Sequence, residues 1–173
     1  MLLGLDQSDN VNKSIDIISV IGRLLQLGEV LHQVHSQWVI KISDSIVVKF
    51  SGVLDISEHQ TMCYIWTNGK NIPIAEPLGF ISIGDCNYMF MTYVEGETLA
   101  KHWPLLSPEL KSSIQSQLGD ILRSLRQIPS PSMYFGSGSP PLCKDLRRHI
   151  RTSSGALQQK RSLTNFWFLL IEN

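Results

Sequence analysis

Apolar residues recur near helical spacing over residues 15–27, at Ile15, Ile18, Ile21, Leu24 and Leu25, and the run stops before Gly28. This spacing predicts a short leading helix with Gly28 as its C-cap. From residue 29 to residue 50 the period shortens to two, in the runs EVLHQV, WVIKI and SIVVKF, which are separated by residues 35–37 and by Ser43-Asp44. Three antiparallel strands joined by tight turns are expected there.

Ser57, with Gln60 three residues on, has capping-box spacing and opens a helix predicted to run to Asn68 and to stop at Gly69. The following NIPIAEPLGF carries two prolines and reads as an extended connector. Two further strands, LGFISI and NYMFMTYV, join across Gly84-Asp85, a natural hairpin turn. Five strands with one long helix inserted after the third predict an α+β fold rather than a doubly wound one.

Beyond Gly96 the pattern turns helical. Residues 97–103 form a short segment, and Ser107-Pro108-Glu109 supplies an N-cap with proline at the first helical position. The helix opened there carries apolar residues at Leu110, Ile114, Leu118, Ile121, Leu122, Leu125 and Ile128, a continuous stripe. Residues 129–141 are rich in Pro, Ser and Gly, the last thirty residues are less regular and close on FWFLLI, and no internal repeat occurs. The expected division is a tail over 1–14, a sheet-bearing region over 15–94 and a helical region over 95–173.

Composition narrows the function classes. At 173 residues with 43% hydrophobic and 17% charged residues, the chain is globular in type rather than disordered or coiled-coil. Fifteen Lys and Arg balance fifteen Asp and Glu, so bulk charge offers no argument for a nucleic-acid or anionic-membrane partner. No apolar run approaches the ~18 residues of a membrane span. The opening MLLGLDQSDN lacks the basic start of a secretory signal. Cys63, Cys86 and Cys143 are few and widely spaced, which suggests a reducing, cytoplasmic setting and neither a disulfide framework nor a zinc site.

Lys49 lies in Val47-Val48-Lys49 on the third strand. Alternation puts Ile46, Val48 and Phe50 on one face and Val47 with Lys49 on the other. A lysine snorkelling from a sheet edge gives the same pattern. Glu58 opens the next helix and, at 100° per residue, shares a face with Met62, Ile65 and Trp66. A carboxylate pointing inward needs a cation, and Lys49 is the nearest in sequence. A first-turn acid also favours the positive end of a helix dipole, so the position alone does not decide.

The order of parts, three antiparallel strands with Val-x-Lys on the third, a helix bearing Glu, two strands, an extended exit and helices, resembles a protein-kinase-like amino-terminal lobe. More specifically, IVVKF, SEHQTMCYI, IPIAEPLGF, YMFMTYVEGETLAKHW and LRQIPSP resemble the fungal-type branch of the aminoglycoside phosphotransferase and choline kinase-like family. That resemblance covers roughly residues 25–170. It implies a kinase-like amino-terminal lobe over 15–94, then a hinge exit and an incomplete helical carboxy-terminal lobe over 95–173. It also implies ATP as nucleotide, with Lys49 on its phosphates and Glu58 holding Lys49. Val47 would line the adenine pocket, and the backbone of Met91 and Tyr93 would meet the adenine edge. Magnesium is expected for the family.

Departures from the family pattern lie on both sides of the hinge. Residues 35–37, between the first two strands, contain no glycine, so a phosphate-covering glycine loop is absent. After the hinge, His102 and His149 are not followed by the x-Asp of a catalytic loop. Asp120 and Asp145 have no Asn at metal-binding spacing. The expectation is a chain truncated before its catalytic loop, without catalytic or metal residues and with weak ATP binding at most. Transfer of the ATP γ-phosphate to a small-molecule hydroxyl would be its ancestral reaction. A noncatalytic interaction module is the competing class, and exposed apolar helix faces would then favour self-association. Lys144, Arg147, Arg148 and Arg151 form a small basic cluster that also fits a solvated helix face. No Cys/His spacing suggests a catalytic pair.

Overall fold

The computed structural model describes residues 7–130, 133–134, 136, 142–145 and 151–158, with the backbone alone at 7–16, 144–145 and 151. The closing FWFLLI, with Arg147, Arg148 and His149, lies outside the described residues. The chain divides into two compact units. One runs to Leu54 and resumes over Leu78–Val94; the other joins Asp55–Pro77 to the chain from Glu95 onward.

The first unit is a helix on a sheet. Helix α1 (Gln7–Leu27) precedes β1 (Glu29–Val34), β2 (Gln37–Lys41) and β3 (Ile46–Ser51), and the unit is completed by β4 (Pro77–Ile83) and β5 (Cys86–Thr92). The sheet has five strands in the order β1-β2-β3-β5-β4. The α+β class, the five antiparallel strands and the helix after β3 are as the sequence predicts. Helix α1 is longer than expected and begins inside the predicted tail. Its first turns carry the polar run QSDNVNKS, where no apolar period marks a helix.

Two faces follow from the register. Directly paired residues of an antiparallel ladder point to the same side. Lys41 pairs with Val47 and Val39 with Lys49, while Val47 pairs with Met91 and Lys49 with Met89. These side chains therefore share one face. Trp38, Ile40, Val48, Phe50, Tyr88 and Phe90 share the other, as alternation along β3 predicts. On that second face Ile21, Leu24 and Leu25 of α1 meet Ile42, Val48 and Phe90 around an apolar depression too tight for water. Trp38, Phe50 and Tyr88 stack in a row across β2, β3 and β5, with centroids 6.3 and 5.4 Å apart. Each such pair adds about 0.5–1.5 kcal/mol beyond its buried area. Where α1 ends, a Cβ on Gly28 would lie 2.8 Å from the Lys41 carbonyl oxygen, so only glycine lets the chain turn this close beneath β2. Val48 and Met89 are 1% exposed and centre the core of this unit.

The second unit is helical. Helix α2 (Ile56–Asn68) is capped by Asp55, whose carboxylate accepts from the Ser57 amide at 2.8 Å, and Gly69 closes it. The start lies two residues ahead of the expected Ser57 cap, because the Asp carboxylate is the acceptor that the open first turn uses. After Gly96 come α3 (Leu99–His102), a single 3-10 turn (Trp103–Leu105) and α4 (Pro108–Gln127). Ser107 caps α4, accepting from the Leu110 amide, as the sequence predicts. The ends of α2 and α4 are tied by the Tyr64 hydroxyl, which donates to the Pro129 carbonyl at 2.7 Å. A two-residue ladder of β6 (Lys144–Asp145) and β7 (Arg151–Thr152) follows. Beside it the Ser153 hydroxyl accepts from the Cys143 amide and donates to the Gly155 carbonyl.

Candidate functional site

Four of the five residues implied as nucleotide contacts, Val47, Lys49, Met91 and Tyr93, belong to the first unit and are brought together by the β3–β5 register. Val47 is buried, 6% exposed, while Lys49, Met91 and Tyr93 are half-buried. Lys49 follows Val47 by two residues along β3 and stands opposite Met89 on β5, so a cation and apolar side chains share this face.

The backbone at the end of β5 is engaged differently from the expectation. The Tyr93 amide donates to the Ser45 carbonyl at 2.8 Å. In an antiparallel ladder bonded and non-bonded pairs alternate, so Val47 and Met91, two residues further in, exchange their backbone groups with each other. Neither amide faces outward to meet a base. The sequence shows where β5 ends only to within a residue or two, and this difference turns on that margin. Past Val94 the chain turns at Gly96, whose φ of +130° is a conformation that only glycine adopts readily.

Glu58 belongs to the second unit. It is exposed, and the inward-facing placement expected for it does not hold. Met62 and Ile65 of that face are half-buried, Trp66 is exposed, and Ser57 is the buried residue of the first turn. The cap at Asp55 makes Glu58 the third helical residue, where an acid favours the positive end of the helix dipole. Further along α2, His59 and Cys63, one turn apart, bring the thiol within 3.7 Å of Nε2.

One residue on the lysine face went unnoticed in the sequence. Lys41 lies on β2 opposite Val47, and its ammonium sits 4.4 Å from the centroid of the Tyr93 ring, with Asp44 at 4.0 Å. Period-two alternation through WVIKI, matched against IVVKF, was the signal available for it.

Beyond Gly96, Glu97 accepts hydrogen bonds from both Lys101 and His102. Lys101 first, and then His102, hold its carboxyl below the usual carboxylate range. His102 is thus tied to the start of α3, and Asp120 pairs with Arg123 on α4. Among the described residues no group of three or more His, Cys, Asp or Glu side chains could hold a metal ion. No described helix is long and apolar enough to cross a membrane.

No protein-family model and no curated protein sequence matches the chain. Among solved structures, the ternary complex of streptomycin and ATP with APH(2")-IIa aligns with a TM-score of 0.46 and 15% identity. The alignment covers 75% of this chain, which spans 43% of that one.

Proposed function

We propose that the chain is a kinase-like nucleotide-binding fold of the aminoglycoside phosphotransferase and choline kinase-like type, in its fungal-type branch. In this proposal it holds the phosphates of ATP with Lys49 and does not itself transfer them. The single observation that carries this reading is the sheet: the order β1-β2-β3-β5-β4, with Val47, Lys49, Met91 and Tyr93 converging on one face. A cation set among apolar side chains on a central strand is suited to an anionic ligand with an apolar, planar end.

Lys49 would contribute one charge-assisted hydrogen bond to a phosphate oxygen. Glu58 would orient Lys49 from the exposed first turn of α2. Val47 and Met91 would cover the base, whose edge would meet the chain beyond Tyr93. ATP would supply the transferable γ-phosphate, but the chain offers no acceptor-side Asp in a catalytic-loop pattern and no metal cluster among the described residues. Electrostatic stabilisation of a transferring phosphoryl group is usually the largest catalytic term, and it is the one not provided for here.

Two assays test this reading. Calorimetry with ATP should give weak binding that Lys49→Met removes and Glu58→Gln weakens less. Incubation with labelled ATP, magnesium and a panel of hydroxylated small molecules should transfer no label above background. Transfer at a rate abolished by Lys49→Met would refute the noncatalytic half of the proposal. Binding unchanged in Lys49→Met would refute the nucleotide half.

A second reading, an interaction module, is favoured by one observation: α4 has no buried residue, and Leu110, Leu118 and Leu122 of its apolar stripe are each about half exposed. Self-association through that stripe should appear in light scattering as a concentration-dependent rise in mass. A monodisperse monomer that fails to bind a hydrophobic dye would exclude it.

A further inference from the structure

Lys41 lies where a base would have to go. Its strand is two away from the end of β5, a lateral distance of about 10 Å at ordinary strand spacing. To place its ammonium 4.4 Å from the Tyr93 ring centroid, the side chain reaches across β3 on the face that Val47, Lys49 and Met91 share. The Lys41 side chain is only 23% exposed, and Val47, directly opposite it on β3, is 6% exposed. The apolar wall assigned to the base is thus already covered.

We infer that Lys41 is a specificity-determining plug: its ammonium occupies the π surface of Tyr93 and its stem the ground beside Val47, and a nucleobase binds only after Lys41 swings aside. This rests on the nucleotide reading given above. A protonated amine over an aromatic face is held by the ring quadrupole, and a base replacing it must first break that contact. The alternative station is at hand. Asp44, fully exposed in the β2–β3 turn, has a carboxylate oxygen 4.0 Å from the same ammonium, so an outward swing keeps the charge paired. Lys49, two residues along β3 from Val47, is a diagonal neighbour on the same face, and the plug acts on the base end of a ligand while Lys49 acts on its phosphate end.

The two ends are tested separately. Adenosine, ATP and inorganic tripolyphosphate are titrated by calorimetry into the full chain, into Lys41→Ala and into Lys49→Met. Lys41→Met, which keeps most of the stem without the charge, guards against a folding defect, and thermal melts followed by circular dichroism establish that each variant is folded. Lys41→Ala should tighten adenosine and ATP by the same factor, roughly threefold to tenfold, the size of one cation–π contact, and leave tripolyphosphate unchanged. Lys41→Met should tighten them less. Adenosine affinity unchanged or weakened in folded Lys41→Ala overturns the plug, and so does loss of tripolyphosphate affinity, which would make Lys41 a phosphate contact. Tripolyphosphate binding that survives Lys49→Met overturns the nucleotide reading itself, whatever Lys41 does.

Discussion

The β3–β5 centre of the first unit and helix α4 of the second were both written in strongly patterned apolar residues, yet the structure treats them in opposite ways. Val48 and Met89 lose all but 1% of their surface, whereas no α4 residue is buried and Leu118 keeps 49% of its own. A strand pair closes a core as soon as its neighbours align, because each side chain gains two cross-strand partners and α1 covers one face. An amphipathic helix gains nothing from its stripe until another surface arrives. Apolar periodicity therefore shows which face is destined for burial; what covers that face is a separate matter.

The sharpest break of this comparison comes from truncating one side chain in each region. Met89→Ala should destabilise the fold by about 2–5 kcal/mol, the range for opening a cavity at a fully buried site. Leu118→Ala, removing a half-exposed leucine, should cost under about 1 kcal/mol. Urea unfolding followed by circular dichroism measures both. Equal losses would mean that the α4 stripe is as well covered as the sheet centre.

Next in size are the helix caps. Asp55→Ala and Ser107→Ala each remove an acceptor for a first-turn amide and should cost about 1 kcal/mol, read in the same urea experiment. Comparable losses at both would show that the caps, unlike the stripes, act alike whether or not the helix face is covered. A pair of changes on α4, Leu118→Glu with Leu122→Glu, should lower hydrophobic-dye binding and any concentration-dependent mass while leaving the melting temperature within a few degrees.

Much of this was legible in the residues. The three alternating runs became β1, β2 and β3 within a residue or two, Gly84-Asp85 became the β4–β5 turn, and Ser107-Pro108 opened α4 where expected. Period and cap chemistry are local, and local signals survive in a sequence. What was hidden depends on partners across space. The Tyr93 amide is taken by the Ser45 carbonyl and Met91 pairs with Val47, and only the register shows it. Asp55, rather than Ser57, caps α2, a competition between two acceptors two residues apart. Lys41 meets Tyr93 across an intervening strand, a distance that no window along the chain spans.

The smallest expected effect concerns acid. The folded-state pKa of Glu97 is depressed by Lys101 and then His102, so its contribution to α3 is present above the ordinary value of 4.5 and is lost as pH falls through the lowered folded value. In Lys101→Ala the Glu97 titration, followed by carboxyl-carbon NMR, should move back up toward 4.5.

A nucleotide meets either the Val47–Met91 face of the sheet or the Ile40–Val48 face. Methyl NMR of the full chain titrated with ATP reads this without any assumption about catalysis, because Val39, Val47, Met89 and Met91 report one face and Ile40 and Val48 the other. Saturable shifts are expected at Val47, Met91 and their face neighbours, absent in Lys49→Met, with Ile40 and Val48 still. Shifts centred on Ile40 and Val48, or persisting in full in Lys49→Met, would contradict it.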